Sequence, residues 1–399
     1  MATLRYKPFS LSSKPLVWAF AVAAALAVMG LGAAYYMEHH GHVVTGMDNH
    51  VVWGMPHVFA VFLIVAASGA LNVASMASVF DRTHYKPLAR LSGLIAMALL
   101  MGGLAVLVLD LGRPDRLIVA MTTYNFKSIF AWNIFLYTGL LAIAAVYLWT
   151  MMEWRANRFA KIAGMAAFLW RLALTTGTGL IFGFLVARPG YDAALLAPLF
   201  IAMSFAFGLA VFILALVGLY KGDARPLGDA IVRRMGRLLG VFVAAVSYFV
   251  LVYHLTNLYA PEHHGFERYL LTDGGIVTAM FWVGQVAIGA VLPLILVFGV
   301  PAERLSRCRV MAACMLVILG GLAQLYVIII GGQSYPMDLL AGWQATSSFF
   351  DGARSVYHAS LPEVMLGVGG AGIAAVIVLA GAKVLALMPQ TLADSDATN

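Results

Sequence analysis

Charge is the scarcest property of this chain. Asp, Glu, Lys and Arg make up 11% of its 399 residues, where an ordinary soluble domain carries roughly 25%. Apolar residues reach 62% and the mean hydropathy is +0.90. A water-exposed fold has no use for that much apolar surface, so lipid is the expected solvent. Cysteine is nearly absent as well. Cys308 and Cys314 stand six apart at the start of one predicted helix, a spacing that fits neither a zinc nor an iron–sulfur site. The chain is therefore expected to hold no cluster of its own. Small residues suited to a leader-peptidase cut do not follow the first apolar run, which is long enough to span and reads as a retained helix. No carboxylate falls near the middle of any apolar run, which argues against a proton- or sodium-coupled transporter. The net charge of +7 comes from basic residues set between apolar runs, where topology determinants belong, and not from a nucleic-acid patch.

What the chain has in abundance is apolar runs of spanning length. Ten are legible: 16–37, 51–79, 91–110, 129–152, 163–186, 195–220, 238–260, 276–299, 310–331 and 362–388. The expected fold is an all-α polytopic membrane protein of about ten transmembrane helices, two four-helix bundles plus two flanking helices. The expected organisation is an N-terminal helix and loop (1–50), a first bundle (51–194), a second bundle (195–335), and a last part (336–399) with an amphipathic segment, the final span and a tail. The connection 332–361, with Trp343, Phe349, Phe350 and Tyr357, reads as a segment lying along the membrane surface. Helices 2–5 and 6–9 have the same parity, and each set has a polar loop between its second and third helices, so a repeat is expected. Of the 25 basic residues, 18 fall on the side of the N-terminus and six on the other, with Arg171 inside a span. The positive-inside rule then places both termini in the cytoplasm. Half of the six outer basic residues lie in one loop, 111–128.

Nine of the ten histidines fall on the outer side, His84 being the exception. In the loops they are tolerable polar residues where lysine and arginine are disfavoured, and HHGH is too short to argue a metal site. Polar groups inside spans carry more information, because ionisable groups at membrane depth are costly. In VVWGMPHVF, His57 is expected about two turns into the second span, with Trp53 one turn earlier on the same face and Pro56 able to kink the helix. His254 and Asn257 in YHLTNLY are three apart at a similar depth. The alternative for both histidines is a helix–helix hydrogen bond with no ligand. The richest stretch is LVLDLGRPDR followed by MTTYNFKSIFAWN. Asp110 ends the third span, Gly112 and Pro114 force a turn, and Arg113, Arg116, Asn125 and Asn133 follow, with Asp110 and Arg113 close enough in sequence to pair. Donors for two carbonyls, a titratable group and an apolar channel make up a quinone site; a salt-bridged turn that only positions helices is the plainer reading. Asn72, Thr175, Thr176, Gln285 and Gln324 are other polar residues at mid-membrane depth, and Arg171, in the fifth span, is expected to face the bundle interior against backbone carbonyls, such amides or water, or to line a proton path.

DLGRP at the end of the third span, NFKS before the fourth, WGMPHVFAVFLIVAASGALNVAS and the ten-span layout resemble the polysulfide-reductase membrane-subunit family (NrfD/PsrC), over nearly the whole chain. Within it the chain looks most like the members that serve the Dsr sulfur-metabolism complex. The resemblance implies a protein of the bacterial inner membrane with no cofactor of its own, neither haem nor iron–sulfur cluster. It implies exchange of electrons between membrane quinone (menaquinone or ubiquinone) and an extracytoplasmic ferredoxin-like iron–sulfur subunit. Further partners would be a haem-b membrane subunit, a cytoplasmic iron–sulfur subunit and a multihaem cytochrome c. The implied quinone pocket lies near the outer surface of the first bundle, with Trp53, His57, Asp110, Arg113, Arg116, Asn125 and Asn133 as its candidates and His57 or Asp110 as the catalytic group exchanging protons with the quinone. The fifth span reads LTTGTGLIF, without a clear counterpart to the tyrosine that some members use there. His254 and Asn257 are candidates for a second site. The rival readings are a haem-b cytochrome with His57 and His254 as axial ligands, and a passive membrane anchor.

Overall fold

A computed structural model describes residues 6–10, 13–337 and 352–394. Among them are ten helices long and apolar enough to cross a membrane: α1 Lys14–His40, α2 Met55–Ser78, α3 His84–Leu109, α4 Ile129–Met152, α5 Asn157–Gly183, α6 Leu196–Gly222, α7 Asp229–Tyr259, α8 Ile276–Phe298, α9 Arg307–Ser334 and α10 Leu361–Val384. All ten expected spans are present. The seventh starts nine residues earlier than its apolar run, because Arg233, Arg234 and Arg237 continue the helix past the hydrocarbon rather than ending it.

Helices α2 to α5 pack in sequence around one another, and so do α6 to α9. The two groups meet where α2 lies against α6 and α9, and α5 against α6, while α1 and α10 pair with each other and α10 rests on α3 and α2. Burial follows from this order. The most apolar stretch of α2 is 94% buried, whereas those of α1, α4, α7 and α8 turn mostly outward. The outward residues are apolar, such as Trp18, Val28, Trp149, Ile162 and Leu251, and only lipid makes that surface favourable.

Glycine sets the closest crossings. A Cβ on Gly69 of α2 would strike the Ser204 carbonyl of α6, and one on Gly208 of α6 would strike the α2 backbone at Gly69 and Ala70. Gly30 of α1 and Gly369 of α10 touch in the same way. Small residues let backbones approach where lipid gives no hydrophobic drive between helices. Among the described residues three stretches are π-helical: Tyr269–Asp273, Met280–Val291 within α8 and Val327–Gly331 within α9.

The loops after odd-numbered helices and those after even-numbered helices gather at opposite ends of the bundle. One end carries Arg82, Arg155, Arg225, Arg304 and both ends of the described chain. There β1 (Tyr6–Lys7) pairs antiparallel with β2 (Met388–Pro389). Arg225 locks the pair in place, donating to the carbonyls of Lys7 at 3.1 Å and Pro8 at 2.6 Å and pairing with Asp223 at 2.6 Å. The other end carries nine of the ten histidines.

The connection before α10 departs from expectation. Trp343, Phe349 and Phe350 lie outside the described residues, and Tyr357 is buried instead of lying on a surface. Its hydroxyl donates to Glu363 Oε1 at 2.6 Å and accepts from the Met55 amide at 2.8 Å. A phenol beside a buried carboxylate must point inward to satisfy it.

Candidate functional site

The site begins with how the chain approaches α2. Residues 51–53 are not helical, so their amides need partners elsewhere. The Val51 amide donates to Asp48 Oδ1 at 2.7 Å, and Gln333, near the end of α9, serves the other two: its Oε1 accepts from Val52 and Trp53 at 3.0 and 3.1 Å, and its Nε2 donates to the Trp53 carbonyl at 3.0 Å. Arg188 ties the same region together, donating to the carbonyls of Gln333 at 2.9 Å and His50 at 3.1 Å. Helix α2 then starts at Met55 with Pro56 in its first turn, where a missing N–H costs nothing and the fixed φ suits the helix. Pro56 therefore starts the helix and does not kink it. His57 sits in the first turn, not two turns deep as the apolar run suggested.

Three of the predicted residues come together here. His57 Nδ1 stands 3.0 Å from Asp110 Oδ2, with the histidine side chain 23% exposed and the aspartate side chain 1% exposed. The approach lacks hydrogen-bond alignment, and neither Asp110 oxygen accepts a hydrogen bond from any other described group. The two groups stand within ion-pair distance without an aligned donor and acceptor. A buried carboxylate without donors is costly unless a proton or a proton-bearing partner neutralises it, and His57 is the ionisable group that faces it. Trp53 lies over the imidazole, ring centres 6.1 Å apart and planes 27° apart, and also meets Phe130 of α4 and Phe182 of α5. The result is a partly open imidazole, backed by a buried carboxylate and covered by Trp53 of the preceding loop, which Phe130 and Phe182 of two helices hold in turn.

Asp110 and Arg113 do not pair. Gly112 adopts φ +67°, a left-handed conformation that favours glycine, and this turn sends the chain outward. Arg113 instead meets Asp115 at 3.4 Å in an exposed pair. Arg116 is exposed, and exposed Asn125 caps its own turn, its Oδ1 accepting from the Lys127 amide at 3.1 Å. Arg113, Arg116 and exposed Lys127 form a basic rim at the histidine end. Asn133 is 2% exposed and faces α5. Its Nδ2 donates to the Ile129 carbonyl at 2.9 Å and reaches the Gly177 carbonyl at 3.4 Å, and its Oδ1 has no partner. The ring of His42 covers Gly112, and its buried Nε2 is likewise unpartnered.

His254 and Asn257 are joined by a residue that sequence reading passed over. Glu267, fully buried between α7 and α8, sits 2.9 and 3.1 Å from His254 Nδ1 and accepts from Asn257 Nδ2 at 2.9 Å. Each helix group thus carries an imidazole whose Nδ1 faces its own buried carboxylate, in an aligned hydrogen bond only at His254. Arg171 is fully buried. It donates to Asn72 Oδ1 at 2.6 Å and the Ser68 carbonyl at 3.3 Å, and lies over Phe168 and Phe205. Gln333, Tyr357, Glu363, Arg188 and Glu267 sit in or beside polar loops, where sequence alone reads them as surface. The one local signal was Ser360 followed three residues later by Glu363 ahead of an apolar run, a helix-start pattern; Glu363 accepts from the Ser360 amide at 2.8 Å.

Comparison with known proteins covers most of the chain. The family model described as "Polysulphide reductase, NrfD" matches residues 43–336. The Hdr-like menaquinol oxidoreductase integral membrane subunit of Archaeoglobus fulgidus is 29% identical over 370 residues, 91% of this chain and 92% of that protein. A putative dimethyl sulfoxide reductase membrane subunit of Halobacterium salinarum is 28% identical over 401 residues, 92% and 90% of the two chains. A selenate reductase subunit of Mesobacillus selenatarsenatis is 22% identical over 413 residues, 93% of each.

Proposed function

The chain belongs to the polysulphide reductase NrfD family, and from that premise we propose that it is the quinone-reactive membrane subunit of an oxidoreductase complex, with His57 and Asp110 exchanging protons with the bound headgroup. The observation that carries this reading is the His57–Asp110 pair, a half-open imidazole on a donor-free buried carboxylate beneath an aromatic wall. Nδ1 faces Asp110, which leaves Nε2 as the ring atom for substrate. A quinol hydroxyl would give its proton to Nε2, and a quinone carbonyl would accept one from it, with Asp110 stabilising the imidazolium in between. The relatives support the substrate class. One is named for menaquinol and two for terminal acceptors that differ from each other; what a shared membrane subunit can contribute to all three is the link to the quinone pool. All three are named as subunits, which supports a partner as the other end of the electron path. A ferredoxin-like iron–sulfur subunit docked on the histidine end is the simplest acceptor or donor, and the exposed rim of Arg113, Arg116 and Lys127 offers it charge. The 18-to-six split of basic residues favours a bacterial inner-membrane orientation with that end outside. The sulfur-metabolism assignment rests on the motif resemblance alone.

Equilibrium titration of the purified chain in nanodiscs with a short-tail hydroquinone tests the site. His57→Ala is expected to weaken binding there about tenfold or more. An unchanged affinity at every bound site would remove His57 from the pocket.

A further inference from the structure

A second feature of the fold is large, buried and unexplained by the His57–Asp110 site. A cavity of about 440 Å³ lies within the second helix group, between α6, α7, α8 and α9. That volume is in the range of small-ligand sites. Its walls are almost wholly apolar, and one side is formed by Leu251, Leu255 and Trp282, each at least half exposed, so it opens sideways to lipid.

The polar side chains in this lining are Ser247, His254, Gln285 and Gln324, with the indole of Trp282; the Ser247 hydroxyl is satisfied by the Val243 carbonyl at 2.9 Å and the Trp282 N–H by the Leu271 carbonyl at 3.0 Å. Gln285 is 8% exposed and its Oε1 has no hydrogen-bond partner; Gln324 is 3% exposed and its Nε2 has none. Leaving a buried amide group unpaired costs about 1–3 kcal/mol, and native structures seldom tolerate it without cause. The backbone is unusual at the same place. Gln285 lies in the middle of the π-helical stretch Met280–Val291, and Gln324 shortly precedes the π-helical stretch Val327–Gly331. Such widened turns are rare and concentrate at functional sites. Beside them Gly289 of α8 and Gly320 of α9 touch backbone to backbone. At the upper wall, His254 Nδ1 is committed to the buried Glu267, which leaves Nε2 as the ring nitrogen available to a ligand.

We infer that this cavity is a second binding site for an isoprenoid quinone or hydroquinone, entering from lipid between α7 and α8, with Gln285, Gln324 and His254 holding its oxygens. The inference rests on the proposed quinone reactivity of the chain but uses a different helix group and different residues. The ligand class follows from the chemistry of the walls. A ring with a polyprenyl tail fits an apolar cavity open to lipid. A hydroxyl accepts from the Gln324 amide and donates to the Gln285 carbonyl, satisfying both groups at once. An acyl chain satisfies neither.

The test is a count of bound ligand on the complete complex in nanodiscs, using menadiol and its dimethyl ether under anaerobic conditions. Two menadiol sites per chain are expected in wild type. Gln285→Leu with Gln324→Leu keeps the volume and removes the amides, and should leave one; His57→Ala should leave the other. The dimethyl ether should bind the second site at least tenfold more weakly than menadiol. A single wild-type site lost in His57→Ala and untouched by the glutamine pair would overturn the inference, as would equal affinity for the ether. A single site lost with the glutamine pair and kept in His57→Ala would support the second site and remove the first. Photolabelling of unmodified complex with an azido-hydroquinone reads the same question without variants. Label on residues 281–294 or 317–325 supports the cavity, and label confined to the peptides around 53–57 and 107–116 overturns it.

Discussion

At the residue scale, the candidate site depends on which partner each ionisable group finds. His57 and Asp110 stood out in the sequence because charge is so scarce in the spans, and any such group needs a reason to be there. Their mutual pairing was not legible. Sequence spacing favoured Arg113 for Asp110, and the choice was decided by the left-handed φ of Gly112, which turns Arg113 out to Asp115. Glu267 and Glu363 were invisible for the opposite reason. Each lies in a polar stretch where a carboxylate reads as solvated, yet both are fully buried. Tyr357 is the hinge of one such cluster. Burial raises its phenol above the ordinary range, and the adjoining Glu363 carboxylate raises it further, so it remains a donor. Tyr357→Phe removes a donor from Glu363 and an acceptor from the Met55 amide, and should lower stability by about 1–3 kcal/mol. The pH dependence has a definite sign. Because the folded phenol titrates above the unfolded one, its contribution is fully present below about pH 10 and lost as pH rises beyond it. Thermal unfolding in nanodiscs should therefore fall off more steeply above that pH in wild type than in Tyr357→Phe. Equal slopes would show that Tyr357 does not carry this dependence.

At the element scale, hydropathy made the ten helices legible, since twenty apolar residues admit little else in a membrane. Their detailed course was not. Helix α7 runs on through three arginines, α2 begins at a proline that read as a kink, and α8 turns π-helical with no change in its apolar pattern. These depend on packing and capping, which periodicity does not record. The α2–α6 crossing is one place where packing and sequence agree, through Gly69 and Gly208. Gly208→Leu should separate the two helices and cost about 1–3 kcal/mol or more, seen as lost assembly or a lower unfolding midpoint. Gly218→Leu, on the same helix but with nothing within 4 Å of its Cβ position, is the matched control and should be neutral. Equal loss in both would point to the glycines' own helix and away from the crossing.

At the scale of the whole molecule, two observations converge on one end of the bundle: both imidazole–carboxylate pairs lie there, and so does the exposed basic rim. The opposite end is clasped by the paired termini and Arg225. The charge split predicts that the clasped end is cytoplasmic. Cys308 is exposed at that end and Cys314 is buried, so the natural chain carries its own reporter. A membrane-impermeant maleimide should label Cys308 in inverted vesicles and leave it unlabelled in spheroplasts; the reverse pattern would invert the proposed orientation and put the His57 site on the inner side.

The central claim, that the His57–Asp110 pair exchanges protons with quinone, is tested most directly by quinol-dependent electron transfer in membranes carrying the assembled complex. Wild type is compared with His57→Ala and Asp110→Asn at matched assembly. A fall of tenfold or more in both variants, a barrier higher by about 1.4 kcal/mol or more, is the predicted result. Unchanged rates in both would contradict the account and shift the chemistry to the second helix group.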